Sequence, residues 1–468
     1  MPAAMPLPGR EGKRGLRAAL AQGKAAELGR LAGEAARALG CGNAGLEAAE
    51  QVLRAGLLRL GGAVLGEVLS ADRGHRGPRV PCGNGHEAGF AGYRDKAFDT
   101  VLGPVPVTRA WYHCAQCGHG LAPRDAELGV ARESMSPGLA AMNDIAAAAG
   151  PFTGAARLLQ EIGGIRLTAK RVERAAEASG AAVAAAGRDR AALIAARTLV
   201  PLPPSPLPDK LYAAIDGTGV PVTSRETAGR EGKGEDGRAR TREVKLAVFF
   251  TQDKLDTGGY PVRDRESTSV IATFEPAAAF ADLVKAEGIR RGAGHVRQFT
   301  ILGDGATWIW GIAAAKFPEA TQIVDLFHAR EHLHSLTRSL EFMLLDRTDQ
   351  WLAARLEDLD YGYIDGIEAA VRKYPLEGVK KDEVERELGY FLNNAPRMRY
   401  HWFRQCGLFT GSGVVEASCK TVIGQRLKQS GMHWTVAGAD AITALRCREA
   451  SSTWEAICNN QDTQTRTA

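Results

Sequence analysis

The sequence predicts an α/β protein: a sheet domain with a helical insertion, preceded by a mostly helical N-terminal region that carries a small β unit. Three observations predict it. Strand-like apolar runs (LYAAID, EVKLAVFF, FTILGD) crowd residues 211–304 and then alternate with helical patterns, the order expected of a sheet covered by helices. Residues 11–70 and 135–197 are rich in Ala, Leu, Arg and Glu. Between them, residues 78–125 turn to glycine, aromatic and β-branched residues.

Taken in order, Leu16 and Leu20 stand four apart and Leu28 and Leu31 three apart, so the first region (1–75) reads as helix. Val101, Val105, Val107, Trp111 and Tyr112 favour short strands in the second (76–130). The third (131–199) contains PFTGAARLLQEIGGIRLTAKRVERAAEASG. A helix over 153–161, a Gly163-Gly164 turn and a second helix capped by Thr168 match a helix-turn-helix, as they match an ordinary helical hairpin. In the first reading Lys170, Arg171 and Arg174 face DNA.

VPLPPSPLP at 200–208 reads as a stiff linker and places a domain boundary. Beyond it lie strand candidates at 210–222, 243–252, 268–275, 298–304 and 321–327. Helices are expected at 277–287, 306–316, 328–346, 350–390, 413–428 and 437–449. The sheet domain spans 209–455, with its helical insertion at about 328–400 and a tail at 456–468. The polar stretch between the first two strands reads as a mobile loop, and its Gly-rich part, 229–237, lacks the Gly-Lys-Ser/Thr ending of a P-loop.

Composition bounds the function. The chain has 468 residues, 45% apolar and 24% charged, which fits a globular protein of two to four domains. No apolar run approaches the ~20 residues of a bilayer span, and the N-terminus lacks a signal-peptide core, so a cytosolic protein is expected. A net charge of +5 permits a nucleic-acid partner without requiring one.

Of the eight cysteines, Cys114 and Cys117 are closely paired. With Cys82 and His86 they make a Cys-x3-His and a Cys-x2-Cys pair, four zinc ligands in the manner of a ribbon. His119 competes as a ligand, and reduced thiols without metal are the alternative.

Two strand candidates end in Asp-Gly, at Asp216 and Asp304. Carboxylates at strand ends collect where α/β sheets bind ligands, and two brought together stay ionised most easily around a cation. A plain Asp-Gly turn is the alternative. Glu416, near the start of an amphipathic helix with Val415, Cys419, Val422 and Ile423 on its apolar face, supplies a third carboxylate. Oxygen ligands with open positions suit Mg²⁺ or Mn²⁺.

The motifs IDGTGVPV, TREVKLAVFFTQ, GDGATWIW, IVDLFHAREHL, YFLNNAPRMRY, GSGVVEASCK and RLKQSGMHW occur in that order. Together they closely resemble the bacterial insertion-sequence transposases called the Kra-four type, from about Leu211 to Trp454. The resemblance implies an RNase H-like catalytic domain, with Asp216, Asp304 and Glu416 as the metal-holding triad of a DNA transposase. Related transposases carry a four-Cys ribbon, from which CGNGH departs.

Asp325 and His328 resemble an Asp-x-x-His signature of Mutator-type and hAT-type transposases, a supporting pair at the active site; read from physics alone they begin a helix. For His332 and His334, packing is expected. Arg397, Arg399, Lys420, Arg426 and Lys428, with Tyr400, His401, Trp402 and Trp434 among them, offer contacts to phosphates and splayed bases. The expected partners are double-stranded DNA, as element ends and target, and a second copy of the chain on paired ends. A non-joining RNase H-fold nuclease, an inactive DNA-binding descendant and a zinc-dependent regulator are the rival functions.

Overall fold

The computed structural model describes residues 10–40, 44–130, 134–232, 237–451 and 465–467. Cys41, Cys458, Trp454, part of the polar loop and most of the expected tail lie outside the described residues. The chain is α/β and forms two compact units, Met1–Ala176 and Glu177–Ala468. The division falls within a helix, upstream of the Pro-rich stretch 200–208 that the sequence suggested as the boundary. In that stretch Pro201 is buried, and Leu199–Pro201 (β5) pairs antiparallel with Thr465–Thr467 (β12).

In the first unit, helices α1 (Arg10–Leu39) and α2 (Gly45–Ser70) run antiparallel, joined by the Lys24–Glu67 ion pair at 3.1 Å. A four-stranded antiparallel sheet follows: β1 (Arg79–Pro81), β2 (Glu87–Thr100), β3 (Gly103–His113) and β4 (Gly120–Leu121). Its alternation is that of a half-buried sheet. Val105 and Val107 pack with Phe98 and Val130 beneath Leu65 and Leu69 of α2. Helices α3 (Pro123–Glu127), α4 (Pro137–Ala149) and α5 (Phe152–Glu161) complete the unit with the start of α6 (Ala169–Ala195). Thr168 caps α6 through Arg171 N, as expected. The turn before it is seven residues long, 162–168, against the three or four of a helix-turn-helix.

The second unit is built on a mixed sheet. Strands β6 (Lys210–Pro221), β7 (Thr241–Leu255) and β9 (Ser269–Thr273) pair antiparallel, and β8 (Pro261–Arg263) extends β7. Strands β10 (Gln298–Gly303) and β11 (Thr321–Val324) add in parallel on the other side of β6. Leu211–Ile215, Leu246–Phe250 and Ile301–Leu302 are fully buried, the continuous apolar runs of strands covered on both faces. Helices α7 (Ala277–Arg290) and α8 (Thr307–Lys316) lie between the later strands in sequence.

The helical insertion comprises α9 (Leu326–Leu344), α10 (Thr348–Tyr361), α11 (Ile364–Val371), α12 (Gly378–Asn394) and α13 (Tyr400–Gln405). The single pattern over 350–390 is broken where Gly362 turns left-handed at φ +81°, ending α10 as glycine does at helix C-termini. The chain closes with α14 (Gly413–Ser418), a π-turn at Cys419–Gly424, α15 (Gln425–Leu427) and α16 (Val436–Ala450). No described helix is long and apolar enough to cross a membrane.

Candidate active site and metal centre

Asp216 does not end its strand. β6 runs on through Gly217, with Asp216 opposite Leu246 and Pro221 opposite Thr241, so the Asp-Gly turn is absent there. Its partner strand is long enough to keep both backbones paired. Asp304 does sit in a turn: its Oδ1 accepts Ala306 N at 2.9 Å, and Gly305 has φ +102°. The parallel register sets Leu302 against Ala214. Asp216 lies two residues further on within β6 and Asp304 two further on in the turn that follows β10, which brings the two carboxylates to the same end of the neighbouring strands.

Asp216 Oδ1 accepts Gly217 N at 2.7 Å and Oδ2 accepts the Cys419 thiol at 3.3 Å. Burial raises the Asp216 carboxyl above its usual range, and the nearby Asp304 charge adds to the rise. A cation would relieve both effects. Burial, then Asp216, pushes the Cys419 thiol well up, so it remains protonated and donating. The sequence reading assigned Cys419 to packing; its position one turn from Glu416 was the available signal. The π-turn that follows replaces the continuous helix expected over 413–428. Such insertions free backbone carbonyls and recur at functional sites. Here Arg446 donates to Thr421 O at 2.6 Å and Val422 O at 3.3 Å.

Asp325 is wholly buried. It caps α9, Oδ1 accepting His328 N at 2.9 Å, while Oδ2 accepts Ser412 N from the residue ahead of α14. Its own N–H donates to Gly303 O at 2.8 Å, beside Asp304. Burial pushes the Asp325 carboxyl up, but the hydrogen bonds from His328 and Ser412 outweigh it and leave it below the usual range.

Asp325, His328 and Glu416 offer ligand atoms within 4.8 Å of one another. Among the described residues Glu416 clusters with the Asp-x-x-His pair, and no such three-carboxylate set joins it to Asp216 and Asp304. Tyr390, the first residue of the YFLNNAPRMRY motif but given no role from sequence, donates to Asp304 O at 2.9 Å. It stacks on His332, whose Nδ1 lies 2.7 Å from Glu387 Oε2; His332 thus packs, as expected.

Gly305 is fixed by this packing. A Cβ there would lie 2.5 Å from the Tyr390 ring, in a left-handed conformation that costs a non-glycine residue about 1–3 kcal/mol. Gly305→Ala is expected to lower stability by at least that amount, read from denaturant melts. An unchanged melting curve would contradict the tight contact.

The Asp325 carboxylate raises His328 to about 9 against the opposing effect of burial, with Asp304 and Glu331 adding to the rise. A His with a raised folded-state pKa stabilises fully below about 6.5, and that contribution disappears as pH rises through about 9. The side chain is 32% exposed. After solvent screening the contribution is about 2 kcal/mol. In metal-free protein, melts from pH 6 to 10 should show this loss in the wild type and not in His328→Gln. Parallel curves for the two proteins would exclude it.

In the first unit, the turns after β1 and β3 lie at one end of the sheet, since Pro81 pairs with Glu87 and His113 with both Gly89 and Gly120. Cys82 N donates to His86 O and Cys114 N to His119 O, each at 2.9 Å. These bonds fold both turns inward, and Cys82, His86, Cys114 and Cys117 present four ligand atoms within 4.8 Å of one another. The four fit a metal ion. His119 joins through its backbone carbonyl and is not in the group. Hydrogen bonding from His86, then Asn84, lowers the Cys117 thiol to about 5, favouring the thiolate that metals bind.

The predicted DNA contacts separate by burial. Arg426 is 1% exposed and Trp434 7%. The Arg426 guanidinium lies 5.0 Å from the Trp434 ring, and Trp434 Nε1 donates to Leu427 O at 3.0 Å. Both are core residues, and so is Tyr400. Arg397 is held within the fold by Gln322 at 2.8 Å and by the Trp310 ring at 4.8 Å. Arg171 is ion-paired with Asp99, and Lys170 with Glu173. Arg174, Arg399, Lys420 and Lys428 are exposed, and Lys428 reaches Thr218 Oγ1, two residues beyond Asp216, at 2.5 Å. No protein-family model matches the chain, and no curated protein matches it.

Proposed function

We propose that the chain is a DNA transposase of the Asp-Asp-Glu type on an RNase H-like sheet, of the Kra-four kind that its motifs resemble. The observation that carries the reading is that Asp216, within β6, and Asp304, in the turn directly after the parallel strand β10, come close enough for the Asp304 charge to act on the Asp216 carboxyl. The helix of Glu416 is tied to Asp216 through Cys419. Three antiparallel strands followed by two parallel ones, with the first at the centre, support the RNase H-like assignment.

Asp216, Asp304 and Glu416 would hold Mg²⁺ or Mn²⁺, which when bound activates a water against a phosphodiester and stabilises the leaving oxygen. Cys419 keeps Asp216 oriented, Asp325 anchors the entry to the Glu416 helix, and Tyr390 steadies the Asp304 turn. Lys428, Lys420 and Arg399 supply positive charge for phosphates. Arg174 and Lys170 remain the cations that the first unit offers to element ends, and Zn²⁺ is the ion that suits a Cys3His set.

The test is a DNA fragment carrying the inverted repeats that bracket the gene, incubated with protein, Mg²⁺ and target plasmid. Nicked ends joined to target support a transposase. Nicking without joining makes the protein a nuclease, and binding without nicking an inactive descendant.

A further inference from the structure

We propose that Asp325, His328 and Glu416 form a mixed nitrogen–oxygen metal site that takes a transition ion such as Mn²⁺ in preference to Mg²⁺. The proposal extends the reading of Glu416 as a metal ligand, and it depends on imidazole coordination rather than on DNA chemistry.

Helix capping explains only part of what Asp325 does. Its Oδ1 accepts the N–H of its own helix, but Oδ2 accepts Ser412 N, 87 residues away. One buried carboxylate thereby joins the start of α9 to the entry of α14. His328 projects from the first turn of α9 and Glu416 from α14, so the shared anchor fixes their convergence. Each carboxylate oxygen has two lone pairs, and those not used by backbone N–H groups remain for an ion.

The second observation is His328 Nδ1. It is buried and makes no hydrogen bond of ordinary length, its contact being the long ion pair to Asp325 Oδ1 at 3.5 Å. A buried ring nitrogen held by so long a contact is poorly satisfied, and coordination, which releases its proton to solvent, would satisfy it. Imidazole beside two carboxylates suits Mn²⁺, Co²⁺, Fe²⁺ or Zn²⁺, whereas Mg²⁺ favours oxygen ligands and retains its waters. The site abuts Asp304 through the Asp325 N–H to Gly303 O bond, which places a nitrogen-ligated ion at the edge of the Asp216–Asp304 pair.

The experiment uses the full chain with its thiolate site preloaded with Zn²⁺, titrated with Mn²⁺ and followed by pulsed electron paramagnetic resonance. Wild type and Asp304→Asn are expected to show imidazole-nitrogen coupling on the bound ion. His328→Gln should lose that coupling and bind Mn²⁺ about tenfold or more weaker. Glu416→Gln, which leaves the Asp325 anchor intact, should also weaken binding. Bound Mn²⁺ without nitrogen coupling in the wild type overturns the proposal, as does unchanged affinity in His328→Gln. If only Asp304→Asn then weakens binding, the three-carboxylate site stands without this one. If no variant changes binding, both fall.

Discussion

Asp304→Asn is expected to abolish strand cleavage and joining, by about a thousandfold or more, while binding to element ends survives. Asparagine keeps the shape of the side chain, and its amide oxygen can still accept Ala306 N, so the turn that Asp304 makes persists. What disappears is the negative charge that retains a hard cation. Losing one ion of a two-ion site removes several kcal/mol of transition-state stabilisation, and about 4 kcal/mol corresponds to that thousandfold.

End binding is proposed for the helices of the first unit, so it should persist, and loss of a carboxylate near phosphates should if anything tighten it slightly. A gel shift on terminal DNA and Mg²⁺-dependent cleavage of the same DNA make the test. Cleavage at wild-type rate would remove Asp304 from the active site. Loss of both activities, with an unchanged melting curve, would mean that DNA binding itself needs the ion.

The second large effect is expected at the Cys3His cluster. Cys117→Ser should release the metal from the four-ligand site and unfold the sheet of β1 to β4. Cys117 is exposed, so serine there disturbs no packing, and lost stability reports the metal. Cys82 and Cys114, by contrast, belong to a small core with Val80, Ala88, Ala110 and Tyr112, where substitution would confound the two causes.

Only six buried residues pack at the ligand end of the sheet, and structural Zn²⁺ contributes ~10 kcal/mol or more to comparable folds. The wild type should carry one Zn²⁺ in this site, and chelator should reproduce the variant. Hydrogen exchange would then rise across residues 79–121. Full protection of those amides in chelator, or metal content unchanged in the variant, would exclude a structural ion.

The order and kind of the elements were legible in the sequence because both are set locally. β-Branched and aromatic content marked the strands of Val105 and Val107, apolar runs marked those at 211–215 and 246–250, and Thr168 announced a helix start. Spacing alone proposed the Cys82, His86, Cys114 and Cys117 group, since two tight turns on paired strands leave few other arrangements. The two runs that end in the same Asp-Gly pair singled out Asp216 and Asp304. Register then decided that only Asp304 makes a turn.

What the chain determined by itself was thus its strands, its helices and the inventory of ligands. Tertiary structure decided which ligands meet. Asp325 looked like a helix cap and is one, but its second oxygen holds Ser412 from a distant segment, and that contact gives Glu416 the neighbours Asp325 and His328. Arg426 and Trp434 looked like DNA contacts, and packing against each other buried them. The Cys419 thiol reached Asp216 across 203 residues. Periodicity reports which face of an element is apolar and carries no information about the element that will cover it. Partners so far apart in sequence are selected only when burial of those faces offsets the entropy of closing the loops between them.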